Sequence, residues 1–456
     1  MLPQERYKKL KEYLSAENPV LLDVIDEYKK LDIYAYKIGL LDKNETFTDH
    51  ISWWPMISVL GTFSAGKSSF INEYLGTKIQ QSGNQAVDDK FTVICYGNSQ
   101  EPTTLPGLAL DADPRFPFYN ISEEINKVDE GEGNRVNAYL QLKTLKADRM
   151  KGKILIDSPG FDADSQRNGI LRITSHMVDM SDLILIFFDA RHPEPGAMRD
   201  TLEHLVSTTI KHRDANKVLY ILNQIDTTAK EDNLEEVISS WQRALAKEGL
   251  ISGNFYSIYN EEAANDLDDE NLHQRLKTKK DASLALIIEK MDKVSTERAY
   301  RIIKALDDFS QEIKEKKLPQ LQQILQEWRS KVLWGDFALL IVLIALLGII
   351  GNQLHLFDTN TGTLSIVGIG IGLFLLGHAK IHTYFAHKFF KIWQTQDASI
   401  AKAILHNTKW WRTLFGFGNN WHKKTKVGLT KVTAESKTLI QKLNDQFLTH
   451  NENTLE

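Results

Sequence analysis

Residues 61–72 read GTFSAGKSSFIN. A glycine, four residues, then Gly66-Lys67-Ser68 is the spacing with which a chain wraps a phosphate. The short apolar run ISVL (57–60) precedes it, and a helical pattern follows, so a strand, a loop and a helix are expected in that order. In such a loop the backbone N–H groups of Gly61 to Ser69, with Ser64, Ala65 and Gly66 at the centre, form an anion nest, and the helix N-terminus adds its dipole. Lys67 would neutralise the β- and γ-phosphates, and the Ser68 hydroxyl would ligate Mg2+. Gly76 is placed to cap the helix C-terminus.

Outward from the loop, four more apolar runs alternate with helical stretches: FTVICY (91–96), KILID (153–157), DLILIFFD (182–189) and KVLYILN (217–223). Runs that are apolar on both faces suit a mostly parallel sheet covered by helices, an α/β fold. Two of the runs end in polar signatures. After KILID stands Asp157-Ser-Pro-Gly160, where Asp157 can hold Mg2+ through water and the Gly160 amide can sense a γ-phosphate. After KVLYILN stands Asn223-Gln224-Ile225-Asp226. A carboxylate there can accept both N1–H and N2–H of guanine, a two-point reading with a large penalty for mismatch. Three such elements at the C-terminal ends of strands imply a GTPase-type site for GTP or GDP.

The rest of the 456 residues has another character. Residues 4–42 carry apolar positions at helical spacing, as in one or two amphipathic helices. From about 281 to 331 the chain is charged and helical, with an interruption expected at Pro319. Phe337–Gly351 is then an uncharged apolar run of fifteen residues and Leu364–Gly377 one of fourteen. The first core extends only about 22 Å as helix against a slab of roughly 30 Å, so a pair of buried helices is the competing reading. The flanks favour a membrane hairpin. The linker Asn352–Thr363 has no Lys or Arg, while Arg329, Lys331, Lys380, Lys388 and Lys391 lie outside it, placing both termini in the cytoplasm. Gly368 and Gly372 form a G-x-x-x-G pair suited to close helix approach in lipid. Between Lys380 and Lys431, ten Lys/Arg face one acid, Asp397, and aromatics interleave with them, which suits an anionic lipid surface better than nucleic acid, with the core of a helical bundle an equal reading for the aromatics. The net charge of −5 hides this asymmetry. The lone Cys95 excludes an internal disulfide and makes a reducing compartment the default. No His or Cys spacing points to a protein-bound transition metal.

The motifs carry a resemblance. GTFSAGKSSFIN, with Ser64 inside the loop and a doubled serine after Lys67, resembles the P-loop of the dynamin superfamily. DKFTVICYG (89–97), TLPGLALDADPRFPF (104–118), ILIDSPGF (154–161) and DLILIFFDARHPEPGAMRD (182–200) are similar to its EHD branch, over roughly residues 55–250. The remainder shows no EH domain and resembles bacterial dynamin-like proteins, mitofusins and atlastins in general layout. The resemblance implies loose nucleotide binding, homodimerisation across the G domains, and faster hydrolysis on assembly. It implies that Ser64 helps place a monovalent cation, K+ or Na+, as charge develops. Two departures stand out. Ala86, Val87, Asp88 and Asp89 occupy the place of the family's Pro-Thr-Thr-Asp, leaving Thr92 as a displaced substitute for the switch threonine. Pro102-Thr103-Thr104 lies after FTVICY and is a decoy. Gln224 stands where the family has a base-stacking Lys, which lowers the expected base affinity. Arg191 and His192, after Asp189, are assigned to a surface loop, and 256–260 to a base-contacting loop without specific residues.

The expected organisation is an N-terminal helical segment (1–50), a dynamin-type G domain (51–275), a helical stalk (276–332), a transmembrane hairpin (333–379) and a basic, aromatic-rich helical segment (380–456). The expected function is a membrane-anchored GTPase that remodels, tethers or fuses membranes, with a bacterial inner membrane as the expected location. A membrane-tethered nucleotide switch and an EHD-like ATPase are the alternatives.

Overall fold

The structure, a computed structural model, describes residues 3–81, 90–113, 115–116, 136–160, 174, 177–193, 202, 217–229, 234–250, 253–261, 264, 270–356, 359–416 and 422–452. Two compact units emerge. One comprises Lys8–Leu21 and Ile51–Ile302; the other takes the chain from Leu22 to His50, the start of the first helix, and everything from Ile303 onward.

The first unit is built on an eight-stranded sheet. Its strands are β1 (Met56–Gly61), β2 (Phe91–Tyr96), β3 (Thr103–Pro106), β4 (Leu140–Leu145), β5 (Ile154–Asp157), β6 (Leu183–Asp189), β7 (Val218–Asn223) and β8 (Asn254–Ser257). They lie in the order β3-β4-β2-β5-β1-β6-β7-β8. Neighbours from β5 through β8 are parallel, as are β2 and β4; β2–β5 and β3–β4 are antiparallel. The five runs read from sequence are the central strands β1, β2, β5, β6 and β7. The period of two in side-chain direction then loads both faces. Leu183, Leu185 and Phe187 of β6 join one core cluster, while Ile184, Ile186 and Phe188 join another. On the first face sit Phe70, Ile71 and Tyr74 of the helix Lys67–Leu75 together with Ile287 and Met291. The second is covered by Trp241 and Leu245 of the helix Leu234–Lys247.

The helices are numbered α1 (Pro3–Glu17), α2 (Leu22–Ile38), α3 (Lys67–Leu75), α4 (Leu234–Lys247), α5 (Glu270–Glu312), α6 (Leu318–Gln353), α7 (Asn360–Gln394), α8 (Ala398–Asn407), α9 (Trp410–Phe415) and α10 (Lys423–Glu452). The two amphipathic N-terminal helices are therefore present as α1 and α2. Glu17, at the end of α1, is buried and accepts from Trp54 Nε1 at 2.8 Å and the Gly152 amide at 3.1 Å. Burial raises its pKa, partly offset by Arg115. Gly76 caps α3 at φ 65°, in the left-handed region that favours glycine.

The expected break at Pro319 does not occur. Helix continues from Glu270 to Gln353, and the proline sits in the first turn of α6 behind a π-turn at Ile313–Lys317. A wider turn ahead of the ring accommodates both the missing N–H and the crowded upstream carbonyl, so the helix is not broken there.

In the second unit α6 and α7 form an antiparallel hairpin whose connection, Leu354–Thr359, is shorter than the linker read from sequence. Their apolar windows have mean hydropathies of 2.6 and 1.8 and are only 6% and 11% buried. Phe337, Ile344, Ile349, Leu364, Ile371 and Leu376 are all more than 40% exposed. The G-x-x-x-G expectation needs correction: an added Cβ at Gly368 or Gly372 would meet nothing within 4 Å. Glycines that admit the neighbouring helix are Gly370, against Leu347, and Gly377, against Leu339, on α7, and Gly335, against Ile381, on α6. The helices also meet at a buried hydrogen bond between His378 Nδ1 and Asp336 Oδ2 at 2.9 Å.

Candidate nucleotide site

Parallel strands that start together end together, so β1, β5, β6 and β7 bring Gly61, Asp157, Asp189 and Asn223 to one edge of the sheet. Gly61 leaves β1 beside β6. A Cβ there would stand 2.8 Å from the Phe187 carbonyl, so the residue must be small. The loop then turns through Ser64 at φ 60° and Gly66 at φ 84°, and α3 starts at Lys67. Ser68 and Ser69 follow in the first turn, half-buried.

Lys67 is buried, and its Nζ donates to the Gly61 carbonyl at 2.9 Å and the Thr62 carbonyl at 3.2 Å. Burial pulls its pKa down, and the nearby Asp157 carboxylate pushes it partly back. An ammonium so placed gains most when an anionic phosphate enters the loop. Gly160 packs on the loop from the other side: a Cβ there would come within 2.9 Å of Phe63 Cα.

The segment after β7 is tied to the same loop by two side-chain amides. Asn223 Nδ2 donates to the Ala65 carbonyl at 2.9 Å, and Gln224 Nε2 to the Ser64 carbonyl at 2.5 Å. Gln224 also adopts a left-handed φ of 63°. Two non-glycine residues in that region, joined by a hydrogen bond, concentrate strain of about 1–3 kcal/mol each, which is characteristic of functional sites. Asp226 is buried and opens the next helical turn.

Asp157 lies buried at the end of β5, facing Thr92 across the antiparallel register. Ser68 and Asp157 offer a hydroxyl and a carboxylate, hard oxygens that fit Mg2+. Among the described residues no group of three or more His, Cys, Asp or Glu gathers, so most of the metal's ligands would come from phosphate and water. Thr92 is inside β2 and fully buried, its hydroxyl accepting from Gln141 Nε2 at 2.7 Å. A hydroxyl held within the sheet is placed differently from a switch-loop threonine. Residues 86–89 lie outside the described residues. Thr103 and Thr104 form edge strand β3, apart from the loop, in keeping with a decoy. Arg191 turns back on Asp189 in a bidentate pair, with Nε and Nη2 at 3.0 and 2.6 Å, and that hydrogen bond raises its pKa. Residues 254–257 form strand β8, and Ile258 continues its pairing through the Leu222 carbonyl.

Sequence reading missed Gln80 and Lys143. Both are buried, and they form a chain ending on Asp157: Lys143 Nζ donates to Gln80 Oε1 at 2.6 Å, and Gln80 Nε2 donates to Asp157 Oδ2 at 2.5 Å. The available signal was the lone lysine in LQLKTL (140–145), whose alternation reads as a half-exposed strand.

The dynamin family model matches residues 57–225. These residues form a dynamin-family G domain. Curated relatives of that domain include EH domain-containing protein 2 of Rattus norvegicus, 27% identical over 203 residues, which make up 42% of this chain and 34% of the relative. EH domain-containing protein 1 of Arabidopsis thaliana is 23% identical over 219 residues, 44% of this chain and 37% of the relative. The chain thus spans about a third of the length of these relatives, and the match places the G domain close to the EHD branch. Among solved structures, an oligomerised bacterial dynamin pair, described as providing a mechanism for the long-range sensing and tethering of membranes, covers 94% of this chain and 77% of its own at 16% identity and a TM-score of 0.37.

Proposed function

We propose that the chain binds and hydrolyses GTP in its G domain and is anchored in a membrane by the α6–α7 hairpin, where turnover drives tethering, remodelling or fusion. The clasp from Asn223 and Gln224 to the Ala65 and Ser64 carbonyls supports this reading most directly, because it joins the base-reading segment to the phosphate loop. In this reading Lys67 and the amides of Gly61 to Ser69 hold the phosphates, and Ser68 and Asp157 hold Mg2+. Gly160 senses the γ-phosphate, and Asn223, Gln224 and Asp226 select guanine. Mg2+ supplies charge neutralisation at the phosphates when bound; Ser64 would position K+ or Na+.

The two exposed apolar helix windows, flanked by Lys and Arg, support the anchor, with both termini cytoplasmic and anionic lipid as the surface met. Homodimerisation through G domains would couple turnover to assembly. The likeness to the EHD branch supports a second reading, an ATPase of the EHD kind, and Gln224 in place of a lysine lowers the expected hold on guanine. Labelled GTP and ATP binding to detergent-purified protein, with carbonate extraction of membranes, tests both ends. Preference for GTP and retention in alkali-washed membranes are expected; extraction into the supernatant would refute the anchor.

A further inference from the structure

We propose that Gln80 is a positioning residue for the Asp157 carboxylate, and through it for the divalent metal of the nucleotide site; the proposal rests on the nucleotide-site reading above. The Lys143 ammonium can only donate, so the carbonyl oxygen of the Gln80 side chain must face it, at 2.6 Å. That leaves the amide nitrogen facing Asp157 Oδ2 at 2.5 Å. The amide therefore has one orientation and cannot flip without setting two donors against each other.

Its backbone is fixed as firmly. Asn72 of α3 accepts the Ile79 and Gln80 amides on Oδ1, both at 2.9 Å, and donates Nδ2 to the Gln80 carbonyl at 2.9 Å. Lys143 adds a second bond, to the Ile79 carbonyl at 3.1 Å. The helix that begins at Lys67 and Ser68 thus sets the position of Gln80, and Gln80 sets the plane of Asp157. Helix, amide and carboxylate form one buried assembly, with the Lys143 charge one amide removed from the metal-facing group. Groups that orient a metal's holders in this way commonly matter as much as the holders themselves.

The test uses full-length, detergent-solubilised protein loaded with GDP, with Mn2+ as the probe, read by electron paramagnetic resonance. Gln80→Met keeps the side chain's size and removes its amide; it should raise the Mn2+ dissociation constant about tenfold, while GDP affinity in EDTA stays within about twofold of the parent. Lys143→Met should shift Mn2+ binding the same way by less, and it decides the matter should Gln80→Met fail to fold. Unchanged Mn2+ affinity in a folded variant overturns the role of Gln80. A parent that binds neither GDP nor Mn2+ overturns the nucleotide-site reading and the proposal with it, so the two failures are distinguishable.

Discussion

Asn223 donates its side-chain amide to the Ala65 carbonyl at 2.9 Å, across 158 residues of sequence. This bond makes the Gly61–Ser69 loop and the segment after β7 one object. Asn223→Ala would leave the buried Ala65 carbonyl without this donor, at a penalty of about 1–3 kcal/mol. Nucleotide affinity should fall at least about fivefold, measured by fluorescence of a labelled nucleotide. Parent-like affinity would show that the clasp plays no part in binding.

Gly66 sits under the same clasp. Its φ of 84° and the 2.0 Å separation between an added Cβ and Asn223 Nδ2 leave no room for a side chain. Gly66→Ala should therefore displace Asn223 and abolish detectable binding of GTP, with roughly 1–2 kcal/mol of destabilisation from the left-handed backbone alone. Titration calorimetry that recovers the parent's affinity would contradict this.

Lys67 gives a pH signature. Its folded pKa is depressed, chiefly by burial, below the ordinary value of 10.5. The unfolded chain therefore binds the proton more tightly. Stability of the nucleotide-free protein should rise with pH from the depressed value up to 10.5, and Lys67→Met should lack that rise. Denaturant unfolding of both proteins between neutral and alkaline pH reads the difference. Parallel pH profiles would mean that Lys67 titrates normally. Lys67→Met should also lose GTP binding.

In the second unit, His378→Ala strips the buried Asp336 carboxylate of its partner at 2.9 Å. Leaving a buried hydrogen-bonding group without its partner is destabilising by about 1–3 kcal/mol. Thermal unfolding in detergent should show a clear drop, and replacing both residues by leucine should recover much of it. A single variant as stable as the parent would show that the pair contributes little.

Much of the G domain was open to reading because its determinants are local. A strand, GTFSAGKS and a helix are contiguous, and the runs around Leu155, Ile186 and Ile221 are apolar enough to identify themselves as central strands. LQLKTL and TTLP are harder to read: Lys143 and the exposed threonines of the edge strand β3 break up the continuous apolar runs that mark the central strands. The same holds for Gln80: nothing around it marks a glutamine as a link between Lys143 and Asp157, 63 and 77 residues away.

Spacing and composition alone determined that this chain has a glycine-rich loop between a strand and a helix of an α/β sheet, and two apolar helices bordered by basic residues. They could do so because hydrogen bonding within helices and side-chain period within strands are set over a few residues. Only the tertiary structure decided which glycines of the hairpin meet the opposite helix, that helix continues through Pro319, and which amides hold the loop and its carboxylate. Those outcomes depend on packing between segments that the linear order does not bring together.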